Sequence, residues 1–169
     1  MTTVWASVVA VAGTLLGACL TYVFQLRSAE RTIQSNRAEQ RRKELAAAAA
    51  AYAAAASELC RAEYDRGIKR INNVQDESRG EARQLTYRLR TQTRSAYYLV
   101  RLLADPVTDH DVINAAQAVM DKAKMISVNT FNATDMQQRD ADAANAIETF
   151  VDIVNRRLGQ EPSSSPECR

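Results

Sequence analysis

Residues 45–62 read LAAAAAAYAAAASELCRA. Leu45, Tyr52 and Leu59 recur every seven residues, and Ala48, Ala55 and Ala62 follow each of them by three, so large and small side chains line one narrow a/d stripe of the kind coiled coils use. Alanine has the highest helix propensity and Tyr52 anchors the stripe, so the run predicts an ordered helix that packs closely on a neighbour. The whole chain agrees with this reading. Its 169 residues are 46% hydrophobic with only five Gly, three Pro and three Phe, a composition that favours helices over sheets.

Upstream of this stretch the character changes. Met1 to Leu26 contains no Asp, Glu, Lys or Arg, and the run from Val4 to Leu26 is long enough to cross a hydrocarbon core of about 30 Å at about 1.5 Å per residue. A transmembrane helix is expected over 1–26, followed by a basic juxtamembrane stalk over 27–44 that carries Arg27, Arg31, Arg37, Arg41, Arg42 and Lys43. With no basic residue before the apolar run, the positive-inside rule predicts a single-pass membrane protein with its domain in the cytoplasm. Ala6, Ala10, Gly13 and Gly17 fall close to one face of the apolar run, where a second helix could approach, so packing of membrane helices and a homo-oligomer are candidate consequences. Two alternatives compete. A cleaved signal would normally have a basic start and a shorter apolar stretch. A lipoprotein anchored at Cys19 is suggested by Leu16-Gly17-Ala18-Cys19, but the residues after Cys19 stay apolar where a polar tether would be needed.

Downstream, Asn72-Asn73 and the residues from Gln75 to Gly80 lose periodicity and predict a connection. Leu85, Leu89, Gln92, Ala96, Leu99 and Leu103 then step by fours and threes, defining a second helix that stops before Asp105-Pro106. A third helix, capped by Thr108 or Asp109, would bury Val112, Ala116, Val119, Ala123 and Ile126. A fourth, with Met136, Ala143, Ile147, Phe150, Val151, Val154 and Leu158 inward, would end near Gly159, leaving a disordered tail over 159–169. The expected fold is all-α: a transmembrane helix continuing into a long stalk helix, and an antiparallel bundle of about four helices over 45–158.

Charge and chemistry narrow the function. Residues 1–108 carry sixteen Lys or Arg against ten Asp or Glu, and residues 109–169 six against ten. Arg83, Arg88, Arg90, Arg94 and Arg101 lie outside the leucine stripe of the second helix and form a candidate surface for DNA or anionic lipid, against the better supported reading of a solvated face balancing the acidic later helices. His110 is the only histidine and has no nucleophile beside it, no cysteine pair has metal-ligand spacing, and the phosphate-loop, dinucleotide and nucleophile-elbow motifs are missing. No catalytic residue, cofactor or metal is expected. Cys19, Cys60 and Cys168 do not make a disulfide framework and fit a reducing compartment. An interaction protein is expected, with membrane lipid and other membrane proteins as partners; a signalling module is the alternative.

The order VWASVVAVAGTLLGACLTYVFQ, an Arg/Glu stalk, ERTIQSNRAEQRRKELAAAAAAYAAA and a helical remainder resembles the small KilB membrane proteins of actinomycete conjugative plasmids. The resemblance covers most of the chain in layout. It implies an accessory factor of the bacterial cell membrane in plasmid spread or conjugative DNA transfer, with other transfer proteins such as a membrane-bound DNA translocase as partners, and it transfers no site residue.

Overall fold

The computed structural model describes residues 2–73, 76–128 and 132–159, with side chains described from Thr21 onward apart from Val23, Leu26, Arg31 and Asp76. Among these residues there are four helices and no strand: α1 (Thr2–Ile71), α2 (Asp76–Leu103), α3 (His110–Met125) and α4 (Ala133–Gly159). The chain forms two compact units, residues 1–41 and residues 42–169.

The first unit corrects an expectation. Among the described residues no helix is long and apolar enough to cross a membrane, which overturns the transmembrane helix expected over 1–26. The expected continuity of the run with the stalk is present. The run opens a 70-residue helix that continues through Arg27, Glu30, Arg37, Glu39 and Arg41 without a break, and the exposed aromatics Tyr22 and Phe24 are followed closely by exposed charged residues. The side chains of Ala6, Ala10, Gly13, Gly17 and Cys19, on which the helix-packing and lipid-anchor expectations rest, lie outside those described, as does the tail from 160 to 169.

In the second unit the pairing of side chains fixes the helix directions. The Thr93 hydroxyl donates to the carbonyl of Ala55 at 3.0 Å, while Arg90, one turn earlier on α2, meets Glu63, two turns later on α1, so α1 and α2 are antiparallel. The Tyr52 and Glu63 side chains meet Ala116 and Ser127, each sixty-four residues on, so α3 runs parallel to α1. Lys122 reaches Asp142 and Asp109 reaches Arg157, which makes α4 antiparallel to α3. The result is an up-down-up-down bundle.

The core follows from the stripes. Leu45, Ala48, Ala49, Tyr52 and Ala56 of α1 pack with Tyr97 and Val100 of α2, Val112, Ala116, Val119 and Met120 of α3, and Phe150 and Val154 of α4. The Tyr52 ring meets the edge of Phe150 at a centroid separation of 5.3 Å. A second cluster joins Leu59, Cys60 and Ala62 to Leu89, Ala123, Ile126, Met136 and Ala143. Gly67 is buried where α1 passes α4, and a Cβ there would run into the fully buried Met136 thioether, so the small residue sets that close approach.

Element ends are set by local chemistry. Asn73 ends α1 in the left-handed region (φ 52°), which asparagine tolerates better than most residues. The expected long connection is shorter than its turn-forming composition suggested, since Asp76 to Gly80 are already helical. After α2, the Asp105 carboxylate accepts from the backbone N–H groups of Val107 and Thr108, turning the chain at Pro106. Asp109 occupies the N-cap of α3 but makes no capping bond; its carboxylate accepts instead from the Asp105 backbone and from Arg157. Asn132 caps α4 by accepting from the Asp135 N–H at 2.6 Å, and Arg139 donates to the carbonyls of Met125 and Val128 at the end of α3.

Candidate functional site

The expected packing stripe of α1 is in place: Leu45, Tyr52 and Leu59 are buried. That of α2 is displaced by about a quarter turn. Ala82, Thr86, Leu89, Thr93, Tyr97 and Val100 are buried; of the expected leucines Leu89 is buried and Leu103 packs partly buried against the core, while Leu85 and Leu99 are 42% and 47% exposed. Threonine can occupy the buried face because its hydroxyl bonds within the helix. Thr86 donates to Ala82, and the Thr93 hydroxyl lies 2.8 Å from the Leu89 carbonyl as well as beside Ala55.

The candidate arginine face is divided. Arg83, Arg90, Arg94 and Arg101 share one flank of α2, because steps of seven, four and seven return close to the same direction. Arg88 lies more than a third of a turn away. Arg101 stacks over the Tyr97 ring at 5.7 Å, and Arg94 is exposed. Arg90 turns inward and is consumed by structure: its guanidinium pairs with Glu63, which is fully buried.

Glu63 is the centre of a polar cluster that periodicity could not reveal. One carboxylate oxygen accepts from Arg90 at 2.6 Å and the other from the Ser127 hydroxyl at 2.5 Å, while Arg66 reaches both that oxygen and Ser127. The buried charge therefore has partners on α1, on α2 and just beyond α3, as a charge removed from water requires. Burial holds the Arg66 guanidinium below its ordinary range, with like charge from Arg90 and Arg70 adding to the effect and Glu63 opposing it.

Beside this cluster is a cavity of about 430 Å³ lined by Arg66, Gly67, Arg70, Arg79, Gly80, Arg83 and Ser127. Four guanidiniums and no carboxylate are among its lining residues. Only Arg83 belonged to the expected basic surface. The missed signal is a repeat: the end of α1 reads RGIKR (66–70) and the start of α2 reads RGEAR (79–83). Each is Arg-Gly-x-x-Arg, and the i,i+4 spacing puts both arginines of a motif on one side of its helix. Arg79 also donates to Asn73 at 2.6 Å, which ties α2 to the last turn of α1. The two glycines differ. Gly67 is required by Met136, whereas Gly80 is exposed, has ordinary negative φ, and a Cβ added to it would meet nothing within 4 Å.

Elsewhere, His110 is exposed at the start of α3. Among the described residues no group of three or more His, Cys, Asp or Glu is placed to hold a metal ion. Cys60 is buried, and its thiol is pushed up to about 12, chiefly by burial.

No curated protein and no solved structure matches the chain. A family model described as KilB plasmid transfer protein matches residues 45–158, which run from the buried Leu45 of α1 to Leu158 near the end of α4, so this chain belongs to the KilB family and its role lies in plasmid transfer.

Proposed function

We propose that the chain serves plasmid transfer as a non-enzymatic helical adapter, binding other proteins of the transfer apparatus and turning over no substrate. The observation that supports this reading is the outward side of α2. Leu85, Leu99 and Leu102 are 42%, 47% and 79% exposed, although the helix buries a complete stripe elsewhere. Leu85, Gln92 and Leu99 are spaced by sevens and Leu102 follows by three, which is the pattern a partner helix packs against. The occupant of this face is accordingly a helix of another transfer protein, with its apolar positions at heptad spacing.

The test is plasmid transfer between mating cells carrying the Leu99→Glu/Leu102→Glu variant. Both positions are exposed, so helix content and unfolding midpoint should stay near those of the parent while transfer falls by about tenfold or more. Parental transfer by a folded, normally expressed variant rules out this face as the adapter surface.

A further inference from the structure

The cavity between the end of α1 and the start of α2 is not used by the adapter reading, and its construction is specific. Two copies of Arg-Gly-x-x-Arg supply it, one from each helix, and in each copy the first Arg, the Gly and the second Arg all line the same space. We propose that this cavity binds a compact polyphosphate, the chemistry shared by pyrophosphate and the phosphate chain of a nucleoside di- or triphosphate.

Three observations carry the inference. Arginine presents a planar fork of donors that matches phosphate oxygens in pairs, and four arginines line this space, Arg66 and Arg79 with part of their donors held by Glu63, Ser127 and Asn73. Glu63, the buried acid nearby, is already engaged by Arg66, Arg90 and Ser127, so it balances the inner edge of the cluster and does not fill the cavity. Gly80 is the third. A glycine inside a helix weakens it, and neither backbone conformation nor packing requires one at this position, so its lack of a side chain serves to keep the cavity open.

Size and shape select the ligand class. A volume of about 430 Å³ is at the scale of small-molecule sites, and converging arginines suit a short chain of phosphates better than an extended duplex backbone, which is met by charges spread along a surface. Arg66, held below its ordinary range by burial and by its like-charged neighbours, would be relieved by an anion in this space.

The experiment is calorimetric titration of the full chain with pyrophosphate, with a nucleoside triphosphate and with a single-stranded oligonucleotide at matched ionic strength. The variants are Arg70→Ala, Arg83→Ala and Gly80→Asp, with Arg94→Ala and Arg101→Ala as controls on the same helix outside the cavity. Binding of pyrophosphate and the triphosphate is expected, weakened about tenfold or more by each cavity variant and less than about twofold by the controls. A tighter triphosphate would add a nucleoside contact to the same site, and equal affinities would make the phosphates the whole ligand. No binding of either compound, equal weakening by Arg94→Ala, or binding of the oligonucleotide alone would each overturn the proposal. Circular dichroism of every variant secures the comparison, and Arg83→Ala, at an exposed position, keeps the test open if Gly80→Asp misfolds. Partner binding is not read in this titration, so its result is independent of the adapter role.

Discussion

The phenolic hydroxyl of Tyr52 on α1 donates to the backbone carbonyl of Ala116 on α3 across 2.6 Å, with both residues fully buried. A tyrosine in an alanine-rich stripe thus does two things. Its ring fills the space between helices against Phe150 and Tyr97, and its hydroxyl finds the acceptor that burial demands.

These two contributions separate by substitution. Tyr52→Phe keeps the ring and removes one buried hydrogen bond, so it should cost about 1 kcal/mol. Tyr52→Ala also opens a cavity among small neighbours that cannot fill it, and should cost about 3–5 kcal/mol. Urea unfolding followed by circular dichroism measures both, and equal losses would show that the ring contributes nothing beyond the hydroxyl.

The Glu63–Arg90 pair makes a different prediction. Glu63→Ala removes the shared partner of Arg66 and Arg90, but both arginines are partly exposed and can turn to water, so it should destabilise the bundle by about 1–3 kcal/mol. Truncating Arg90 leaves the fully buried Glu63 carboxylate without one of its two arginines, a loss that Arg66 and Ser127 compensate only in part, so Arg90→Ala should also cost several kcal/mol, about 3–5 at most. The double variant Glu63→Leu/Arg90→Met should be more stable than Arg90→Ala, since no buried carboxylate remains and apolar volume replaces it. Additive losses in the cycle of Glu63→Ala, Arg90→Ala and the double Glu63→Ala/Arg90→Ala would mean that the two side chains do not interact.

Cys60 supplies a pH dependence. Its thiol is raised from 9.0 to about 12 by burial first, with the carboxylates of Asp140 and Glu63 adding to the effect. Arg61 and Glu148 line the cavity beside it. The fold therefore favours the protonated thiol: the contribution is fully present below about pH 9 and is lost as pH rises through about 12. In a Cys19→Ser/Cys168→Ser background, Cys60 at pH 8 should react with a disulfide reagent about a thousandfold more slowly than the urea-unfolded chain, because so little thiolate forms. Stability measured from pH 9 to 11 should fall more steeply than in the Cys60→Ala variant. Reaction at the unfolded rate would place the thiol in contact with solvent.

Sequence periodicity located α3 and α4 well, since Val112, Ala116, Val119 and Ala123, and then Met136, Ala143, Phe150 and Val154, are buried as their spacing predicts. It misassigned the face of α2, where two rows through Leu89 compete. The leucine-rich row looked apolar, but the row through Thr86, Thr93 and Tyr97 is the one inside. Nothing in linear order states that the Thr93 hydroxyl will find Ala55, or that Tyr97 will find Gln117 at 2.8 Å. The arginine site was hidden for the same reason. Its two motifs are thirteen residues apart and become one lining only when α2 folds back on α1.

What the sequence by itself determined is local: helix propensity, the stripe through Leu45, Tyr52 and Leu59, and the stop at Asp105-Pro106, because these depend on neighbours within about two turns. An uncharged run near the N-terminus was equally visible, but among the described residues no helix is long and apolar enough to cross a membrane. Tertiary structure alone decided which side of α2 faces inward, that Glu63 is buried among Arg66, Arg90 and Ser127, and that four arginines share one cavity. Those outcomes depend on the free energy of burying a polar group with its partners, and the partners are brought together only when helices distant in sequence pack side by side.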